Sequence, residues 1–375
     1  MIVASWNDIF GQTEAVSKLK HFVSSGNLNH AYLFIGPQGV GKHTTAKVFA
    51  SAINCEAKGC GKCSCCVKII NETHPDVFQV VPEGNFITIE QVREIQKEAN
   101  LKPFEAGFKV YLIDEVEKMT LAAANALLKI LEEPPVDVIF ILITSNLDGV
   151  LPTIISRCCQ IYFRSIATEV IIDEIMCRYK IDKDRVELVA RVSGGIFGNV
   201  VELLNSNRKL KRRESVLYLA EKLKRLDALE LVDEGSRLIS EVEDFLGELK
   251  LKQEAELAEV EEIALSKAHG ARLKKRLVEK QKRDRGREEF KAFEDILDFF
   301  SSWYRDILII TGCFKNNFLT NIDCEERLRN LSKELSFQGA QRALEIIQET
   351  KRILRFNVNK QLALEVMLFK LQEVA

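Results

Sequence analysis

Gly36-Pro37-Gln38-Gly39-Val40-Gly41-Lys42-His43-Thr44 is the stretch on which the fold turns. Tyr32 to Ile35, just before it, is short, apolar and β-prone; Thr44 to Ile53, just after it, has helical spacing. Strand, glycine-rich loop and helix is the setting that makes G-x-x-x-x-G-K a phosphate site. Gly36, Gly39 and Gly41 let backbone N–H groups curl round an anion, and the helix N-terminus adds partial positive charge. Lys42 is the cation for the terminal phosphates. The next residue should be Ser or Thr, whose hydroxyl holds Mg²⁺. Here it is His43, and Thr44 offers a hydroxyl one residue late, about 100° further round the helix. The loop reads as a site for ATP or ADP in which Mg²⁺, and with it hydrolysis, lacks its usual ligand.

Working outward, Phe108-Lys109-Val110-Tyr111-Leu112-Ile113-Asp114-Glu115 is a buried β run ending in two acids. After a phosphate loop, such acids suit Mg²⁺ (Asp114) and the attacking water (Glu115). Val138 to Thr144 is apolar on both faces, as a central parallel strand requires. Asn146 follows it, either as a γ-phosphate contact or as a turn residue. His74 to Val81 reads as a turn and strand, and Ile161 with Phe163 as a last strand. Ala15, Leu19, Phe22 and Val23, then Val92, Ile95 and Ala99, then Leu121 to Leu131, have helical spacing. Alternation of strands and helices predicts an α/β, doubly wound parallel sheet.

Between the first helix after the loop and the second strand lies Cys55-x4-Cys60-x2-Cys63-x2-Cys66. Four thiolates so spaced close a tetrahedron around Zn²⁺ and leave no open position, so the expected role is structural. Free buried thiols are the alternative, and Cys65 competes with Cys66 for the fourth place. Five of the ten cysteines fall in this cluster, which is metal spacing in a reducing compartment and not a disulfide framework.

The 375 residues suffice for two or three domains, and a hydrophobic content of 46% suffices for their cores. A net charge of −2 excludes a globally basic nucleic-acid binder. No apolar run is long enough for a membrane span, and Met1 to Gly11 lacks the pattern of a signal peptide, so a soluble cytoplasmic chain is expected. After Arg164 the strands stop. Residues 166–207 read as a small helical module broken at Ser193-Gly194-Gly195, and 208–375 as a larger all-helical domain. Within the latter, 250–290 is highly charged, and Lys267 to Arg287 reads as a solvated helical hairpin or, alternatively, as a patch for DNA or an acidic partner. Val358 to Leu371 reads as a closing amphipathic helix.

His30-Ala31-Tyr32-Leu33-Phe34, the phosphate loop, the four-cysteine insert, Asp114-Glu115, Ala126 to Pro135 (ALLKILEEPP) and Ser156-Arg157-Cys158 occur in that order. In this the chain resembles the bacterial clamp-loader AAA+ subunits over roughly residues 7–205, and its closing Asn357 to Leu371 stretch is similar to their collar end. The resemblance implies an AAA+ core over 1–165 with a zinc module at 55–66, a helical lid over 166–207 and a helical collar over 208–375. It implies a hetero-pentamer with gamma/tau-type motor subunits and a delta subunit, acting on a sliding clamp and primed DNA. It implies that Arg157 reaches in trans to the ATP of a neighbouring subunit, where a guanidinium stabilises charge on the transferring phosphoryl group. Two departures from the motor pattern stand out. His43 replaces the Mg²⁺ ligand, and Gly198, in Gly195-Ile196-Phe197-Gly198-Asn199, replaces the second sensor arginine. Together they imply an arginine-donating member with little or no ATPase of its own.

Overall fold

The computed structural model describes residues 5–374 except 84, 85, 179, 180, 206, 264–266, 313–317, 355 and 357; side chains are not described at 178, 256, 259–277, 279, 280 and 283. The chain separates into two compact units, residues 1–181 with 193–201, and residues 182–192 with 202–375.

The first unit is built on five parallel strands: β1 (Ala31–Ile35), β2 (Val77–Val80), β3 (Lys109–Ile113), β4 (Val138–Thr144) and β5 (Cys159–Tyr162). Their order across the sheet is β2-β3-β4-β1-β5. Register pairs Ile35 with Thr144 and with Tyr162, so β1, β4 and β5 end level with one another. β1, β3 and β4 are buried at every position, which is why they read as unbroken apolar runs. Successive residues face opposite layers. Leu33, Tyr111, Phe140 and Leu142 pack against α4 (Ile89–Ala99) and α5 (Leu121–Glu132). Tyr32, Phe34, Val110 and Ile141 pack with α1 (Thr13–Ser25) and α2 (Lys42–Asn54) on the other face. The sheet is therefore doubly wound, with loops gathered at the carboxyl ends of the strands, where such sheets bind ligands. The remaining helices of this stretch are α3 (Ser64–Ile70), the short α6 (Pro152–Ile155) and α7 (Thr168–Arg178), followed by α8 (Lys183–Val192) and α9 (Phe197–Asn205).

The second unit is helical among its described residues: α10 (Asn207–Lys222), α11 (Ala228–Ile263), α12 (Lys267–Thr311), α13 (Glu325–Leu331), α14 (Phe337–Leu354) and α15 (Lys360–Val374), with α8 packed among them. Phe300, Trp303, Tyr304, Leu328, Ile347 and Leu368 form its core. α11 and α12 make the long hairpin expected from the charge pattern. Buried Gln253 and Gln281 bind each other's backbone carbonyls across it, at 3.4 and 3.0 Å. Most side chains of the basic stretch 267–287 lie outside the described residues, so the DNA-patch alternative is not addressed by them. α15 departs from the expected amphipathic pattern. Leu364, Met367, Leu368 and Leu371 are buried, yet Leu362, Val366 and Phe369 on its other side are exposed. Among the described residues no helix is long and apolar enough to cross a membrane.

Candidate nucleotide and metal sites

The phosphate loop joins β1 to α2. Gly36 continues the sheet by donating to the Thr144 carbonyl at 3.3 Å. It has no room for a side chain, because a Cβ would lie 2.3 Å from the carbonyl oxygen of Phe163. Gly41 caps α2 in a left-handed conformation at φ 99°, open to glycine without strain. Lys42 is 7% exposed, and its ammonium donates to the carbonyls of Gly36 and Pro37 at 2.6 and 2.7 Å. Burial lowers its pKa to about 8, against the opposing fields of Asp114 and Glu117. A phosphate group would both replace those carbonyl contacts and restore the favour for the charged form.

His43 sits on the first turn of α2, facing Asp114 and hydrogen-bonded to Gln79 at the end of β2. Burial holds its pKa below the ordinary histidine value, so a neutral imidazole occupies the place of the usual hydroxyl ligand. Thr44 is half-buried, while its neighbour Thr45 is fully buried and donates to the Gly41 carbonyl at 2.8 Å. Thr45 thus completes the α2 cap and is unavailable to a ligand.

Asp114 follows β3 directly, and its carboxylate accepts the Glu115 amide at 2.9 Å. Glu115 has φ +54°, a left-handed turn unusual for a side-chain-bearing residue, and pairs with Lys118 at 3.1 Å. Past that turn the chain brings back Glu117, a residue that sequence reasoning missed. Its carboxylate accepts the Ser145 backbone amide and hydroxyl at 3.2 and 2.7 Å. The signal was present as a third acid two places beyond Glu115. Asn146 is exposed and starts a short 3₁₀ turn; its backbone amide and carbonyl both bond the Thr144 hydroxyl. Gln12, a second residue that sequence reasoning missed, is also buried at this loop and donates to the carbonyls of Val40 and Arg164.

The turn ahead of α9 packs on the phosphate loop. The Gly198 amide donates to the Gly39 carbonyl at 3.2 Å, and Ile196 stands where a Cβ on Gly39 would have to go, 2.8 Å away. Arg157 lies elsewhere, between α6 and β5. Its guanidinium donates to the Thr153 carbonyl and pairs with Glu132 at 2.6 Å, with about a third of the side chain exposed (35%).

The cysteine cluster follows α2. Sγ atoms of Cys55, Cys60, Cys63 and Cys66 all lie within 4.8 Å of one another. Cys55 is 3.7 Å from both Cys60 and Cys63. Four thiolates about 2.3 Å from one Zn²⁺ would stand about 3.8 Å apart, so the donor set fits a tetrahedral zinc. Backbone amides of Lys62 and Cys63 point at the Cys60 sulfur and lower its pKa to about 6, as a ligating thiolate needs. Cys65 points the other way, its thiol donating to the Asn54 carbonyl, while the Cys66 sulfur stands inside the cluster. The fourth place therefore belongs to Cys66. Trp6 closes over the loop, its indole N–H donating to the Lys58 carbonyl at 3.2 Å.

A phosphate loop leaving an interior strand of a β2-β3-β4-β1-β5 parallel sheet, with acids ending the next strand but one, is the core of an AAA+-type P-loop protein. Residues 11–167 match the family described as DNA polymerase III, delta subunit, and residues 287–373 match DNA polymerase III, delta subunit, C terminal; the chain carries domains of those families and is a relative of the clamp-loader subunits. It is 26% identical to the DNA polymerase III subunit tau of Bacillus subtilis over 98% of this chain and 61% of the relative. It is 34% identical to subunit delta' of the same organism over 56% of this chain and 64% of the relative. A DNA polymerase III gamma subunit-related protein of Thermotoga maritima superposes with a TM-score of 0.46 at 19% identity, covering 95% of this chain and 98% of that one. The chain thus spans less than two thirds of the length of the curated relatives it matches.

Proposed function

We propose that this chain is a delta-prime-type subunit of a DNA polymerase III clamp loader. It holds a place in a hetero-pentamer with gamma/tau-type motor subunits and delta, and helps load the sliding clamp onto primed DNA. Residues 1–165 serve as the AAA+ core, 166–207 as the lid and 208–375 as the collar. Arg157 is its catalytic contribution, offered to a neighbour's ATP. The pair with Glu132 supports this role, since an exposed ion pair holds a guanidinium by only about 0–1 kcal/mol and releases it readily. Within the chain's own site, Gly36, Gly39, Gly41, Lys42, Thr44, Asp114 and Asn146 are the proposed nucleotide contacts, and Glu115 a vestigial base. The exposed apolar stripe of Leu362, Val366 and Phe369 on α15 is suited to a neighbouring collar.

The observation that carries the proposal is the contact of Gly198 with Gly39. Where a motor subunit would place an arginine over the γ-phosphate, this chain brings a bare backbone onto the loop. With a neutral imidazole at the Mg²⁺ position, ATP hydrolysis loses two electrostatic supports at once. A motor subunit of the gamma/tau type is the second reading. It is favoured by a likeness to tau that runs the length of this chain and by the presence of Asp114 and Glu115. Steady-state ATP hydrolysis decides between them, measured on the chain alone and then with motor subunits added. Negligible turnover by the chain alone supports the first reading. Turnover abolished by Glu115→Gln would establish the second.

A further inference from the structure

We propose that Glu117 sets the nucleotide preference of this site: its carboxylate occupies the γ-phosphate position, so that the loop takes a nucleoside diphosphate and rejects the triphosphate. The inference rests on the phosphate-loop reading of residues 36–42 and goes beyond it to the class of ligand.

The placement follows from the sheet. Because Gly36 bonds Thr144, Ser145 is the first residue past β4 and stands beside the start of the phosphate loop. In such a site the amides of the loop take the inner phosphates, and the lysine reaches the terminal one. A third phosphate would therefore project from Lys42 toward the ends of β3 and β4. Asp114 and Ser145 directly follow those strand ends, and Glu117 is hydrogen-bonded to Ser145 there. Both Asp114 and Glu117 act on the Lys42 ammonium. The Ser145 amide and hydroxyl, two donors just past the end of β4, are already engaged by Glu117 Oε1. Glu117 Oε2 is buried and has no hydrogen-bond partner. A buried carboxylate oxygen without a donor is costly, and the field of the Lys42 ammonium offsets part of that cost.

The charges point the same way. Two carboxylates face one lysine, and His43, held neutral by burial, adds no cation. A γ-phosphate would bring further negative charge against two carboxylates, with no hydroxyl at the usual Mg²⁺ position to recruit a compensating cation. A β-phosphate held by loop amides stays on the far side of Lys42 and meets less of this repulsion. Glu117 thus acts as a specificity residue, and Ser145 as the donor it withholds.

The test is a fluorescence titration of the full chain with N-methylanthraniloyl ADP and the corresponding ATP analogue, with and without Mg²⁺. We expect the wild-type chain to bind the diphosphate at least about tenfold more tightly, a difference of about 1.4 kcal/mol. Glu117→Gln keeps an acceptor for Ser145 but removes the charge, and should bring the two affinities within about threefold, chiefly by tightening the triphosphate. Ser145→Ala keeps the charge and should leave the preference in place. Equal affinities in the wild type, or a preference unchanged in Glu117→Gln, would overturn the role of Glu117 while leaving the phosphate loop intact. Failure of both nucleotides to bind the wild type and Glu117→Gln above the level of Lys42→Ala would overturn the nucleotide site itself, and the inference with it.

Discussion

The backbone amide of Gly198 donates to the carbonyl oxygen of Gly39 at 3.2 Å, joining the start of α9 to the phosphate loop. A Cβ on Gly198 would lie 2.9 Å from that oxygen and 3.5 Å from the Gly39 Cα, both backbone atoms of a constrained loop. Gly198→Arg therefore has to push the two segments apart. We expect a loss of about 1–3 kcal/mol in unfolding free energy, the range for overpacking a close contact, read from a denaturant titration. On the proposed delta-prime-type reading, the substitution should also not create ATP hydrolysis, because His43 remains where the Mg²⁺-binding hydroxyl would be. An unchanged unfolding midpoint would contradict the contact.

The cysteine geometry predicts which thiol is dispensable. Cys65→Ser should retain one equivalent of zinc, since its sulfur faces Asn54 and not the cluster. Cys66→Ser, or Cys60→Ser, should retain much less than half an equivalent after purification without chelators. Removing the metal from the unsubstituted chain should also change the tryptophan fluorescence, because Trp6 is bonded to Lys58 inside the cysteine loop. Full zinc content in Cys66→Ser would move the fourth ligand elsewhere.

What the sequence disclosed and what it withheld divide along a physical line. Local patterns were legible: the loop glycines, the apolar strands, and cysteines whose spacing is a property of one short segment. The choice between Cys65 and Cys66 was not, because neighbours on a helix differ by about 100° in direction and only the packing of α3 decides which faces the cluster. Glu117 was hidden for a similar reason. Nothing in Asp114-Glu115-Val116-Glu117 announces that Glu115 adopts a left-handed turn, which sends its own side chain to Lys118 and brings the next acid to Ser145. His74-Pro75-Asp76 read as a mere turn, yet Asp76 organises a segment about 28 residues further along the chain. Such pairings are set by tertiary packing and leave no periodic trace.

Asp76 leads to a prediction in pH. It is 2% exposed and accepts the backbone amides of Phe104, Glu105 and Ala106 at 2.6, 2.8 and 2.9 Å. Burial alone would raise its pKa, but those amides outweigh burial and hold it below the usual carboxylate value. A depressed carboxylate stabilises the fold above its unfolded pKa, and that contribution is lost as pH falls through the folded value. His74, whose Nδ1 accepts the Asp76 amide, is pushed below the ordinary histidine pKa by burial. The unfolded chain therefore takes up that proton first, and stability begins to fall once pH drops below about 6.5. Thermal melts should show a decline beginning there and steepening below about 4. Asp76→Ala should cost about 2–4 kcal/mol at neutral pH and remove the steeper, acidic part of the decline. An Asp76→Ala melt that keeps the acidic limb would place its origin in other carboxylates.

Arg157 separates stability from function. Its observed partners are the Thr153 carbonyl and Glu132, both at the surface, so Arg157→Ala should shift the unfolding free energy by no more than about 1 kcal/mol. If the residue serves a neighbour's ATP, the same substitution should reduce DNA-stimulated hydrolysis by the assembled loader by about 10³-fold, the lower end of the effect of a trans arginine, while assembly is retained on gel filtration. Arg157→Lys should recover little of the loss, because an ammonium cannot supply the planar, two-donor contact of a guanidinium. Glu132→Ala distinguishes release from mere loss of a surface pair. It frees Arg157 without removing it, so hydrolysis by the loader should be retained. Normal hydrolysis with Arg157→Ala would assign this arginine to the surface ion pair alone and leave the trans contribution to another residue.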